Sequence, residues 1–406
     1  MANAATQTQA DYEQVKVKYG LMTVVFFFSG LFVVSALFAT IPLNPVFTAE
    51  FHLSAEQAAL TTSVYSFSYA LGTIVFAPLS DRLGRKRVII FGLLLLTVIS
   101  PIIGLLSNYG AIVAFRGIQG FVAASFAPTA LTFITELYPP KKRAVAVGFI
   151  SAAFLMAGIV GQVYSSVMES MLSWNYVFYL FGVLYALLAA AFWQAVPSDA
   201  QARRELRSIF GTISIVLTKS FFLSCYFITI LVLLSFVGVY STLESYLQET
   251  YAMSPSEILI VRSAGIIGML IAPFGGRLAG RFGPFVMMRS GLFLAALGLV
   301  LIGFASNMSM IIGMSILFTA GISVTVPSVI SVIGQYGGEE KATAMSLYSF
   351  FLFVGSTIGP MISIYLMRTG GYTWTFEGIA ILLALGFFIT FILSKKAAQT
   401  AGTVKE

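Results

Sequence analysis

Polar residues along this chain are gathered into short gaps, and the stretches between them stay apolar for about 20 residues at a time, the length a helix needs to cross a bilayer core. The pattern predicts spans at 20–43, 56–79, 86–106, 109–137, 144–170, 174–195, 220–247, 255–276, 286–305, 309–334, 341–367 and 373–394. Backbone groups in lipid must be bonded within their own segment, so these twelve segments are expected to be helices rather than alternating barrel strands. The seventh and the tenth are the ones expected to be broken or tilted.

The pattern repeats at a fixed offset. The hairpin after the second span, Leu79-Ser80-Asp81-Arg82-Leu83-Gly84-Arg85-Lys86-Arg87, has a degenerate copy beginning Gly276-Arg277-Leu278, and Pro128 in the fourth span matches Pro327 in the tenth, 199 residues on. Arg143 matches Lys341, and Ala157 and Gly161 match Gly355 and Gly359, each at an offset of 198. A shared offset across several helices predicts a duplicated six-helix unit, repeated in parallel about an axis normal to the membrane. The expected fold class is an all-α membrane protein of two pseudo-symmetric six-helix bundles. Residues 1–19 form an arm, 20–195 the first bundle, 196–219 a linker, 220–394 the second bundle and 395–406 a tail. Ala153, Ala157 and Gly161 share one helix face, as do Gly355 and Gly359. Small residues let backbones approach closely, and these faces are expected to form the seam between the halves. Pro128 and Pro327 are expected to loosen their helices and let them bend.

Composition agrees. The chain is 58% hydrophobic and 10% charged, against roughly 25% charged residues in a soluble domain. Its net charge of +7 would suit nucleic acid, but the distribution argues otherwise: with the N-terminus inside, inner segments hold 20 of the 23 Lys and Arg. Only Arg368 falls in an outer segment, while Arg116 and Arg262 lie within spans. The basic excess therefore reports topology, with both termini cytoplasmic and no nucleic-acid partner. One cysteine, Cys225, excludes an internal disulfide, and one histidine, His52, lacks the partners a metal site needs. There is no Gly-Lys-Ser/Thr phosphate loop and no nucleophile–base pair, so neither enzymatic activity nor a cofactor is expected.

The hairpin charges can do more than set topology. Asp81 can accept charge-assisted hydrogen bonds from arginines and from free amides at a neighbouring helix start. Gly84 provides the tight turn. Asp81, Arg82, Gly84, Arg85, Lys86 and Arg143 are therefore the candidate inner gate, one that locks the halves together. Arginine at membrane depth is costly and marks function or a specific partner. Arg116 lies about 10 Å inside its span at the helical rise, and Arg262 about as deep in the eighth. Glu244, about one turn inside the seventh span, is at the right depth to pair with Arg262. Read functionally, Glu244 carries a proton and its partnership with Arg262 changes between states; a static ion pair is the alternative. Glu136, Glu169 and Glu377 sit near span ends and are weaker candidates. Two arginines against one buried acid tilt the cavity positive, which suits an anionic or zwitterionic substrate.

Several motifs point to one family. Ala77, Leu79, Ser80, Asp81, Arg82, Gly84, Arg85 and Lys86 resemble the Gly-x-Leu-Ala-Asp-Arg-x-Gly-Arg-Arg/Lys signature of the major facilitator superfamily of secondary transporters, departing at Ala77 and Ser80. Arg116-Gly117-Ile118-Gln119-Gly120 is similar to the Arg-x-x-Gln-Gly motif of its proton-coupled members. Trp174-Asn175-Tyr176-Val177-Phe178 resembles the usual opening of the sixth span, with Asn175 in place of Arg. The fifth-span antiporter motif is poorly matched, since no proline is present, and the first span lacks the acid many multidrug antiporters carry. The resemblance runs from about Gly20 to Ser394. It implies a cavity lined by the first, fourth, seventh and tenth spans, with Ser35, Gln119, Tyr226, Tyr240, Ser323, Thr325 and Ser328 available there. Tyr65, Tyr69, Gln162, Tyr348 and Ser349 stand on flanking helices. The resulting expectation is a multi-pass protein of a bacterial inner membrane, monomeric because two halves already enclose one path. It moves small organic molecules by alternating access, powered by the proton gradient, most naturally as an efflux antiporter. An uptake symporter or anion exchanger is the alternative, and a sensor that has lost transport is an alternative of another class.

Overall fold

The computed structural model describes residues 19–197, 209–305 and 307–402, with the side chains of Glu244 and a few other positions outside the description. The arm, the middle of the linker and the last residues of the tail therefore lie outside the described residues.

Among the described residues the structure is helical, and each predicted span has its helix. The first bundle comprises Tyr19–Phe38, Leu60–Leu83, Arg85–Leu105, Tyr109–Ala123 with Ala127–Leu137, Pro140–Met171 and Trp174–Ala195. The second comprises Ser220–Tyr251, a triply segmented eighth span ending in Ala272–Phe282, Pro284–Gly303, Met308–Tyr336 and the run Lys341–Gly402. That run leaves helical geometry at Gly371, where φ is 78°, and so supplies both the eleventh and the twelfth crossings. A short helix, Asn44–Phe51, follows the first span, which ends at Phe38 rather than at 43. Another, Ile209–Thr218, lies in the linker.

The duplication is visible in local backbone chemistry. Gly84 (φ 91°, ψ 134°) and Gly283 (φ 86°, ψ 149°) make the same turn, between the second and third spans and between the eighth and ninth. A β-carbon is disfavoured in that conformation, which explains glycine at both places. Asn108 caps the fourth span by accepting from the Ala111 amide at 3.0 Å, and Asn307 caps the tenth from the Met310 amide at 2.9 Å. Ser54 with Gln57 and Ser254 with Glu257 form reciprocal caps at the approaches to the second and eighth spans.

Two expectations are corrected. The seventh and tenth spans run unbroken, even across Pro327; the fourth and eighth are the interrupted ones. In the fourth, the chain tightens at Ala124–Phe126 just ahead of Pro128, whose missing amide cannot bond the carbonyl one turn back. In the eighth, Gly265 and Gly268 lie against Tyr240 and Thr319, and Pro273 opens the last segment. The small-residue faces also do not form the seam. Gly161 lies against the Ser35 carbonyl of the first span, and a β-carbon at Gly359 would stand 2.5 Å from the Leu234 carbonyl oxygen of the seventh. They pack helices inside each bundle.

The seam is built elsewhere. A β-carbon at Gly148 in the fifth span would stand 2.6 Å from the carbonyl oxygen of Ala272 in the eighth. In the eleventh span, Ser346 donates its hydroxyl to the carbonyl of Thr73 in the second. These contacts lie in the half of the molecule that holds Asp81, here termed the basic end.

Candidate functional site

Charged groups at the basic end organise the first bundle. The buried Arg85 guanidinium contacts Asp81 Oδ1 at 2.7 Å and Glu136 Oε2 at 2.8 Å, joining the ends of the second, third and fourth spans. Lys86 donates to the Trp193 carbonyl at 2.7 Å and stands 5.4 Å from the centre of its ring, which ties the third span to the sixth. Arg82 is exposed. Arg143 donates to the Tyr138 carbonyl at 3.3 Å and lines a cleft at the seam together with Gly280 and Gln335 of the second bundle. Lys341 reaches across to the Thr135 carbonyl at 3.4 Å. Burial pushes the Tyr138 hydroxyl up to about 12, so it stays protonated beside Thr23, 3.1 Å away. Glu136, read from sequence as a span-end acid, proves to be a partner of Arg85; its place at the end of the fourth span was the available signal.

Arg116 is fully buried within the first bundle. Its guanidinium donates to Gln119 Oε1 (2.6 Å), the Ala36 carbonyl (3.0 Å), Thr40 Oγ1 (3.3 Å) and the Thr61 carbonyl (3.3 Å). It also stacks 4.3 Å from the centre of the Tyr65 ring. Gln119 passes the network to Ser100 at 2.8 Å, and Thr40 to Thr62 at 2.8 Å. Gly120 explains how the spans come close enough: the backbone of Tyr65 occupies the place a β-carbon would take. Carbonyl dipoles, an amide, hydroxyls and an aromatic face thus solvate this cation, joining the first, second, third and fourth spans.

Arg262 sits at the seam on the other end. It donates to Gln162 Oε1 of the fifth span at 3.4 Å and lies 5.3 Å from the centre of the Tyr240 ring. The proposed partnership with Glu244 falls on a side chain outside the described residues.

Between the bundles lies a central cavity, lined by Val34, Phe38, Tyr69, Ala127, Leu131, Phe154, Leu155, Leu233, Phe236, Val326, Tyr348, Ser349, Leu352 and Phe353. Its free volume, about 40 Å³, holds only a few waters. Drug-sized ligands need several hundred Å³, so the bundles must part to admit one. Tyr69 and Phe353 meet across the seam with ring centres 4.3 Å apart. Toward the far end, Phe38 and Phe236 both close over Gly158.

Of the predicted contact residues, Tyr69, Tyr348 and Ser349 line this cavity. Ser35 donates to the Ala157 carbonyl, Tyr65 to Val33, Tyr226 to Ala344 and Ser328 to Val324, so their hydroxyls serve packing. Gln119 belongs to the Arg116 network, and Gln162 and Tyr240 to the Arg262 contact. Among the described lining residues none is charged, and neither Arg116 nor Arg262 is one of them. Sequence reading missed the apolar lining because Val, Leu and Phe carry no signal that separates cavity from lipid.

Comparison with known proteins agrees with this architecture. The family model described as Major Facilitator Superfamily matches residues 26–341 and, in a second match, 270–406. An "Uncharacterized transporter" of Buchnera aphidicola subsp. Schizaphis graminum is 26% identical over 394 residues, 93% of this chain and 92% of that protein. Multidrug resistance protein 1 of Bacillus subtilis is 24% identical over 89% of this chain and 94% of its own. The crystal structure of the human organic anion transporter MFSD10 superposes with a TM-score of 0.79 at 17% identity, over 92% of this chain and 99% of that one. A duplicated twelve-helix body closed around a central cavity, matched by the family model along nearly its whole length, belongs to the Major Facilitator Superfamily of transporters.

Proposed function

We propose that this protein exports small, largely apolar organic molecules by alternating access, in exchange for protons. The observation that carries the reading is the cavity on the seam: apolar and aromatic walls, three polar side chains, and closely packed helices on its basic side. Such walls favour aromatic or amphipathic molecules over small ions, since a charge moved there would find no partner. Similarity to a multidrug resistance protein along most of both chains supports export. The basic end faces the cytoplasm of a bacterial cell, because that side carries the Lys and Arg excess. The transporter works as a monomer and needs no bound cofactor.

Glu244 carries the proton in this scheme. It lies about one turn inside the seventh span, and Tyr240, one turn before it, stands against Arg262. Arg116 fixes the first bundle as a rigid unit. Opening the far end must break the Arg262–Gln162 contact, and a carboxylate at Glu244 that competes for Arg262 would couple its own protonation to that step. Anion exchange is the second reading, favoured by Arg262 at the far mouth of the path.

Proteoliposomes with an imposed pH gradient test the proposal. Transport of lipophilic aromatic compounds should follow the gradient, and Glu244→Gln should abolish coupling while leaving downhill movement. Gradient-independent transport by the intact protein, or a preference for small carboxylates, would overturn it.

A further inference from the structure

Where the first, fifth and eighth spans meet at the basic end, a groove of about 580 Å³ opens on the outer surface of the molecule. Its walls include Phe27, Phe28 and Phe149, and the last two are substantially exposed. At its mouth stand two exposed cations, Lys142 from the first bundle and Arg277 from the second. The Lys142 ammonium rests 4.8 Å from the centre of the Tyr19 ring, and the Arg277 guanidinium 5.6 Å from that of Phe274. None of the described lining residues is acidic.

Here an apolar trough leads up to paired positive charges at span ends, the level of lipid head groups. Long basic side chains at that level reach the interface and attract anionic lipid. We infer that this groove binds a phospholipid with an anionic head group, its phosphate between Lys142 and Arg277 and one acyl chain along the phenylalanine wall.

The site spans the seam, which gives the lipid a consequence. Lys142 and Arg277 belong to different bundles and share one groove while Gly148 rests on Ala272. Parting the fifth and eighth spans at this end would separate the two cations. A ligand that grips both binds the closed arrangement better and shifts the population toward it. Neither proton coupling nor substrate choice enters this inference, so failure of the export reading would leave it standing.

The test uses the full chain in nanodiscs of phosphatidylcholine, with and without phosphatidylglycerol. Native mass spectrometry reads retained lipid, and maleimide labelling of Ser331→Cys in a Cys225→Ser background reads access to the seam at the basic end, which Ser331 lines. Phosphatidylglycerol should be retained and should slow labelling. Lys142→Gln with Arg277→Gln should weaken retention roughly thirtyfold, the factor two membrane-surface cations carry, and remove the slowing. The charge-keeping pair Lys142→Arg with Arg277→Lys should preserve both and controls for folding. Retention unchanged in the Gln pair, or equal labelling in the two lipids, overturns the inference. Retention of phosphatidylglycerol only after deletion of residues 1–18 also overturns it, since the arm would then be the natural occupant.

Discussion

Ser346 donates its hydroxyl to the carbonyl of Thr73 across the seam, and this contact has a counterpart in which the donor is missing. Stepping back by 198 from Ser346 gives Gly148, and forward by 199 from Thr73 gives Ala272, the residues that touch on the other side of the axis. The two halves thus meet twice through the same pair of positions, once with a hydrogen bond and once by bare backbone contact.

Bulk at Gly148 should wedge the basic end open. Gly148→Leu places a side chain where the Ala272 carbonyl and Pro273 stand, and overpacking of this kind costs about 1–3 kcal/mol, a shift of roughly 5- to 150-fold toward the open form. Ser346→Ala removes one hydrogen bond and should shift it only about fivefold. Labelling of Ser331→Cys reads both; equal rates in the two variants would mean that the seam contact does not govern opening.

Arg116→Lys should fold but transport poorly. An ammonium has three donors and no planar fork, so it cannot serve Ala36, Thr40, Thr61 and Gln119 together. The loss should be about 1–3 kcal/mol in stability, since buried acceptors go unpaired. Thermal unfolding and coupled uptake in vesicles measure the two effects. Wild-type transport by the lysine variant would show that charge alone suffices.

Arg85→Ala should cost about 1–3 kcal/mol, because it takes the charged donor from the half-buried Asp81 and Glu136 carboxylates and leaves them facing each other. Adding Glu136→Gln to that variant should recover part of the loss by relieving the repulsion. Melting temperatures of the single and double variants provide the comparison; a Glu136→Gln addition that destabilises further would show that the ion pair is incidental.

In the cavity, Phe353→Ala should widen the space beside Tyr69 and relax selectivity toward larger aromatic compounds. Val34→Asp should stop transport of neutral aromatics, since it brings an unpaired carboxylate into an apolar wall. Competition assays with a graded series of ring compounds measure both. An unchanged ranking of compounds in Phe353→Ala would place the binding path elsewhere.

The sequence carried the span pattern and the duplication clearly, because a bilayer permits few arrangements of backbone and because Gly84 and Gly283 need the same conformation. Helix rotation was hidden. The face containing Ala157 and Gly161 packs on the first span, and nothing in its composition distinguishes that from packing on the opposite half. Breaks were hidden as well: Pro327 is absorbed in a continuous helix, while Pro128 follows a tightened turn, a difference set by neighbours. The partners of Arg116 include two backbone carbonyls, which every residue possesses and which therefore leave no trace in the sequence. Glu136 was visible as an acid, but its pairing with Arg85 depends on where the fourth span ends.

The cavity walls come in matched pairs: Val34 with Leu233, Ala127 with Val326, Phe154 with Leu352 and Leu155 with Phe353. A guest molecule therefore meets nearly the same oily surface whichever way round it enters. Tyr69, Tyr348 and Ser349 have no twin in that lining and form a single polar landmark. Molecules with one hydrophilic end will settle in one heading only, whereas uniformly greasy ones can tumble.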